Sequence, residues 1–104
     1  MLIFSTLVAA LAAVHSAPPS SQDYRTAYEL AHRCFVVASS YHDEAGARRA
    51  YDAVMRLGEL QRLSNRQLNA DFNRFTAYES VRLARDADYR QQLTSECRTI
   101  GLAS

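Results

Sequence analysis

The stretch Ala27–Tyr41 (AYELAHRCFVVASSY) constrains this chain more than any other. It is the most apolar run outside the N-terminal leader, and it carries Cys34, one of two cysteines. The other, Cys97, lies near the opposite end. Tyr24, Tyr28, Ala31, Phe35, Ala38 and His42 recur at helical steps of three and four. Ala27, Ala31, Cys34, Ala38 and Tyr41 form an adjoining stripe with the same spacing. Two adjoining stripes make a wide apolar face, which predicts a central helix in contact with more than one neighbour. Arg25, Glu29 and Arg33 form an i, i+4 ladder on the other side, each pair worth roughly 0.2–0.5 kcal/mol.

The N-terminus reads as a targeting segment. The apolar run LIFSTLVAALAAV after the initiator is shorter than the ~20 residues a bilayer span needs. It matches the apolar region of a secretory signal peptide, although no Arg or Lys precedes it. Val14 and Ser16 suit the small-residue positions before a cleavage site, which places the cut after Ser16. Residues 1–16 are therefore expected to be a signal peptide. Residues 17–21 (APPSS) are expected to be an extended linker, because two prolines oppose helix. Residues 22–104 are expected to form one domain.

Local signals divide that domain into three or four helices. Ser20 with Asp23 resembles a capping box, so the first helix should open at Ser20 or Ser21. Asp43 should cap a second helix running to about Leu63, with Ala47, Ala50, Tyr51, Val54, Leu57 and Leu60 inside. Gly46 and Gly58 should weaken that helix, by ~1 kcal/mol each if they sit in its interior. Ser64 and Gln67 form another capping box for a third helix lined by Leu68, Phe72, Phe75 and Leu83, with Glu79 inside the same stripe. Asp86 or Asp88 should cap a fourth; the rival is one continuous helix through Arg85–Tyr89. Tyr89, Leu93, Cys97 and Ile100 form the last stripe, and Gly101 with Leu102 fits a helix-ending glycine and its apolar follower. Three glycines and two prolines in 104 residues leave little material for hairpins.

Short turns between such helices favour an all-α up-down bundle, and the cysteines test it. Cys34 lies eight residues before His42, about 12 Å below the first turn at 1.5 Å per residue. Cys97 lies nine to eleven residues after Asp88 or Asp86, roughly 13–17 Å below the same end. Equal depth on antiparallel helices predicts a Cys34–Cys97 disulfide, which an exported chain is free to form. A redox pair is disfavoured, because the chain has no Cys-x-x-Cys.

Candidate chemistry is sparse. Glu29-Leu-Ala-His32 is a Glu-x-x-His unit, but di-iron bundles need two copies and two further carboxylates. His32 and Met55 fall at similar heights on the first two helices, a geometry open to a His/Met haem, but the chain has no Cys-x-x-Cys-His. Glu79 is either a buried carboxylate of raised pKa or a residue paired with Arg or Tyr. No nucleophile-elbow glycines surround any serine. All 12 basic residues are arginines, set against 11 acidic ones for a net charge of +1. That balance is unsuited to binding nucleic acid by phosphate neutralisation. The six tyrosines suit half-buried bundle positions or an interface, and Tyr24, Arg25, Tyr28 and His32 mark the candidate interaction surface.

The resulting expectation is a periplasmic or secreted non-enzymatic protein. It should need no cofactor and should act by binding another envelope protein, with no stable membrane insertion once the leader is removed. The alternative is a metal- or haem-binding bundle using His32 with Glu29 or Met55.

Overall fold

A computed structural model describes residues 20–104; the expected leader and residues 17–19 of the expected linker lie outside them. Four helices follow in order: α1, Ser21–Ser40; α2, Glu44–Leu60; α3, Asn65–Arg85; and α4, Ala87–Thr99. The protein is an all-α bundle closed by a Cys34–Cys97 disulfide, with Cα atoms 5.5 Å apart. α1 is the central element and packs against all three others, while α3 and α4 form the remaining substantial interface. The wide apolar face of α1 is the cause: Tyr28, Ala31, Cys34, Val37 and Ala38 are each at most 1% exposed.

The caps are those the sequence dictates. The Asp23 N–H donates to Ser20 Oγ at 3.2 Å, and Asp23 Oδ2 accepts from the Ser20 N–H at 3.0 Å. The Ser64–Gln67 pair does the same at 3.1 and 2.8 Å. Asp43 caps α2 by accepting from the Gly46 N–H at 2.9 Å. Asp86, in extended conformation, ends α3 and accepts from the Tyr89 N–H at 3.0 Å to start α4. The helix therefore breaks at Asp86, and Asp88 lies inside the first turn of α4.

Three helices end alike. The residue after the cap turns left-handed at His42 (φ 56°), Arg62 (φ 59°) and Gly101 (φ 82°). In each case the next N–H reaches back to a carbonyl of the last turn: Asp43 to Ala38, Leu63 to Gly58 and Leu102 to Cys97, at 2.8–2.9 Å. This is the Schellman arrangement, which satisfies carbonyls the helix leaves open. It also corrects the end of α2, which stops at Leu60 because Arg62 has already left helical conformation.

The inner face of α2 differs from expectation. Gly46, Ala50, Val54 and Gly58, spaced four apart, are the buried line. Tyr51 and Leu60 are 43% and 51% exposed. The two glycines are points of close approach rather than weak spots. A Cβ on Gly58 would sit 2.6 Å from Leu68 Cδ2. One on Gly46 would strike the Asp43 carboxylate and lie 3.0 Å from the Ala103 Cα. On α1, Ala27 and Tyr41 are exposed, so the second stripe is narrower than its spacing implied. Ile100 is likewise 47% exposed, whereas Leu93 and Cys97 are buried.

The core has two parts. One surrounds the disulfide, where Val37, Ala50, Leu83, Leu93 and Ala103 pack on Cys34 and Cys97. The other holds Tyr28, Ala31, Val54 and Leu68, with Met55 and Phe72 at its edge. Residues after α4 fold back over the start of α2. The Ser104 N–H and hydroxyl donate to Asp43 at 2.7 and 2.8 Å, and Arg49 Nε donates to the Gly101 carbonyl at 2.8 Å.

Candidate functional site: an arginine–aromatic groove between α1 and α3

The surface expected from Tyr24, Arg25, Tyr28 and His32 is not a single surface. Tyr24 and Arg25 are half-buried, but Tyr28 and His32 are 0% and 1% exposed. Both buried rings belong to the stripe of α1 that meets α3. Tyr28 donates its hydroxyl to Asp71 Oδ2 at 2.7 Å. Burial and that bond push the Tyr28 pKa well above its usual value. Asp71 also accepts from Arg74 Nη2 at 2.9 Å and lies 3.8 Å from Arg25 Nη1. Burial pushes its carboxyl up, but the Arg74 and Tyr28 hydrogen bonds and the two arginine charges leave it below the usual value.

His32 occupies an aromatic cage. Its ring stacks on Phe75 at 4.7 Å with planes 5° apart, and meets Tyr28 and Phe72 edge-on at 4.6 and 4.7 Å. Neither ring nitrogen has a hydrogen-bond partner. Desolvation disfavours the imidazolium, so the pKa is lowered from 6.5 to about 4. The nearby charges oppose one another: Asp71 and Glu29 favour the cation, while Arg74 and Arg25 disfavour it.

The Glu29–His32 pair does not act as a unit. Glu29 accepts from Arg25 Nε at 3.1 Å on the solvent side of the helix, whereas His32 is inside. Met55 is half-buried and packs on the second core cluster. Among the described residues, no group of three or more His, Cys, Asp or Glu is placed to hold a metal ion.

Glu79 is fully buried within its stripe. It has the partners its position suggested: Tyr89 donates its hydroxyl to Oε1, and Arg33 Nε lies 3.9 Å from Oε2. Burial, and then the bond to Glu79, push the Tyr89 pKa up to about 12.

Outside this buried layer lies an open groove of about 400 Å³ between α1 and α3, lined by Glu29, Arg33, Arg74, Phe75, Tyr78, Glu79 and Arg82. Phe75 forms its floor. The guanidinium carbons of Arg74 and Arg33 sit 4.7 and 5.9 Å from the Phe75 centroid. Arg82 lies 3.6 Å from the Tyr89 centroid. Tyr78 is 62% exposed on the rim. The groove's acids are already engaged, Glu29 with Arg25 and Glu79 with Tyr89. Arg82 has no carboxylate within ion-pair distance among the described residues, and Arg33 reaches only buried Glu79.

Charge counting hid this site, because the arginines and acids cancel along the chain. One signal was legible: Arg74, Tyr78 and Arg82 repeat at steps of four, one helical row flanking Phe75 and Glu79. Comparison with protein-family models, curated proteins and solved structures returns no match to this chain.

Proposed function

We propose that this is an exported, non-enzymatic binding protein that docks another envelope or secreted protein in the α1–α3 groove. The observation that carries the reading is the groove itself: three guanidinium groups set over aromatic rings at an open face, with Arg82 free of any carboxylate partner among the described residues. Arginine and aromatic side chains are enriched where proteins bind one another. The groups with potential for chemistry, His32 and Glu79, are sealed beneath it and occupied in packing. Export is supported by the leader pattern in residues 1–16 and by a disulfide of the kind that persists in oxidising compartments. No helix among the described residues is long and apolar enough to cross a membrane.

Two measurements test this reading. N-terminal sequencing of the protein recovered outside the cytoplasm should start at Ala17; an uncleaved cytoplasmic product removes the export half. A photo-crosslinker at position 78 should capture one defined protein in the producing cell, and Arg82→Glu should abolish that adduct. A spread of weak adducts indifferent to Arg82 removes the binding half.

A further inference from the structure

The groove also specifies the chemistry of its occupant. We infer that it takes an acidic protein segment carrying an apolar or aromatic side chain between carboxylates; this rests on the binding function proposed above. Three arginines line the groove: Arg33 and Arg74 lie against the Phe75 ring, and Arg82 lies over Tyr89. Arg74 is held by Asp71 at 2.9 Å, which fixes it over Phe75 as a wall. Arg82 has no carboxylate partner among the described residues, and Arg33 reaches Glu79 only through Nε at 3.9 Å, so these two retain donors for a ligand. Guanidinium groups bind carboxylates in a planar two-point fashion.

The rings set the rest of the preference. Phe75 is only 6% exposed, with the His32 imidazole stacked on its ring and Arg74 4.7 Å from its centroid, so it is a rigid backing to the groove. Tyr78, 62% exposed at the rim, is the ring against which an apolar side chain can lie. A basic segment would set like charges against the guanidinium groups, and an amide-rich one would offer only neutral acceptors, whose hydrogen bonds are weaker than those of carboxylates. Three other depressions among the described residues do not join more than one arginine to an aromatic ring. The one over α4 is bordered by Asp88, Gln91, Gln92, Ser95 and Glu96 from a single helix and has no aromatic floor.

The test uses the disulfide-bonded exported protein and a short fluorescent peptide of Asp and Glu around one central Phe. Binding by anisotropy should weaken by about tenfold when Asp and Glu are replaced by Asn and Gln, and by a similar factor in Arg33→Gln or Arg82→Gln. Arg48→Gln, on the exposed side of α2, should leave binding unchanged. Thermal melts of each variant guard against misfolding; Arg82→Gln is the safer of the two because Arg33 also faces buried Glu79. Equal binding of the amide peptide, or indifference to both arginine variants, overturns the inference. So does displacement of the peptide by inorganic phosphate, single-stranded RNA or anionic vesicles at matched charge, because the site would then select phosphate rather than a carboxylate-bearing segment. A specific crosslink at position 78 without affinity for the acidic peptide overturns the ligand class alone. Loss of the crosslink overturns the binding function itself.

Discussion

The imidazole of His32 lies flat on the ring of Phe75, 4.7 Å between centroids and 5° between planes. Its two nitrogens have no partner. A neutral histidine is tolerated there as an aromatic filler, but an imidazolium is not. The folded-state pKa of about 4 lies below the usual 6.5, so the unfolded chain binds the proton first. Stability is therefore complete above pH 6.5 and falls as pH drops from 6.5 toward 4, by as much as ~3 kcal/mol at 1.36 kcal/mol per unit. Asp43 and Asp71, both held below their usual pKa, add losses at still lower pH. Urea denaturation across this range, in the wild type and in His32→Phe, measures the effect. The variant should lose the component between pH 6.5 and 4; an unchanged pH profile contradicts the assignment to His32.

Tyr89 and Glu79 form a buried donor–acceptor pair. Tyr89→Phe leaves a sealed carboxylate facing only Arg33 at 3.9 Å. It should cost about 1–3 kcal/mol, the penalty of an unsatisfied buried polar group. The double variant Tyr89→Phe/Glu79→Gln should recover part of that loss, which a double-mutant cycle by chemical denaturation reveals. In the wild type, Tyr89 should ionise near pH 12. Because its folded pKa is raised, its contribution is intact below the usual 10 and fades as pH rises through 12.

The disulfide closes a loop of 63 residues. Chain-entropy reasoning assigns such a closure about 4 kcal/mol, a large share of the roughly 5–15 kcal/mol typical of a domain. Cys34→Ala/Cys97→Ala, or reduction, should lower the denaturation free energy by about that amount. A loss below ~1 kcal/mol would mean the helices hold their places without the bond.

His42 and Arg62 adopt the left-handed conformation that Gly101 adopts at the end of α4. A Cβ in that conformation costs roughly 1–2 kcal/mol, partly offset by the greater freedom of glycine in the unfolded chain. Arg62→Gly should therefore stabilise by about 0.5–1 kcal/mol in thermal melts. His42→Gly should do the same, and neither should affect peptide binding in the groove.

Gly46 poses the opposite case. Alanine favours helix by ~1 kcal/mol over glycine, yet a Cβ here would meet the capping carboxylate of Asp43 and backbone at Ala103. Neither is the loose end of a long side chain. Gly46→Ala should destabilise by about 1–2 kcal/mol, and amide exchange should quicken first at Ser104, whose N–H donates to Asp43.

What this chain's sequence determined alone is local or periodic. Ser20, Asp43 and Ser64 act as caps through residues three positions on, so their roles are readable without a fold. The apolar spacing of α1 implied a helix with several neighbours, and equal depth below one turn was enough to pair Cys34 with Cys97. Tertiary structure decided what depends on distances between helices. The inward line of α2 runs through Gly46 and Gly58 because backbones approach there, and small residues carry no apolar signal. His32 and Tyr28 left the surface because Phe72 and Phe75, some 40 residues on, supply the cage. The same packing carried Arg33 across to Arg74 and Arg82, making a groove from residues whose charges cancel when counted along the chain. Charge neutrality is a sum over sequence, whereas an electrostatic site is an arrangement in space that only the α1–α3 interface could create.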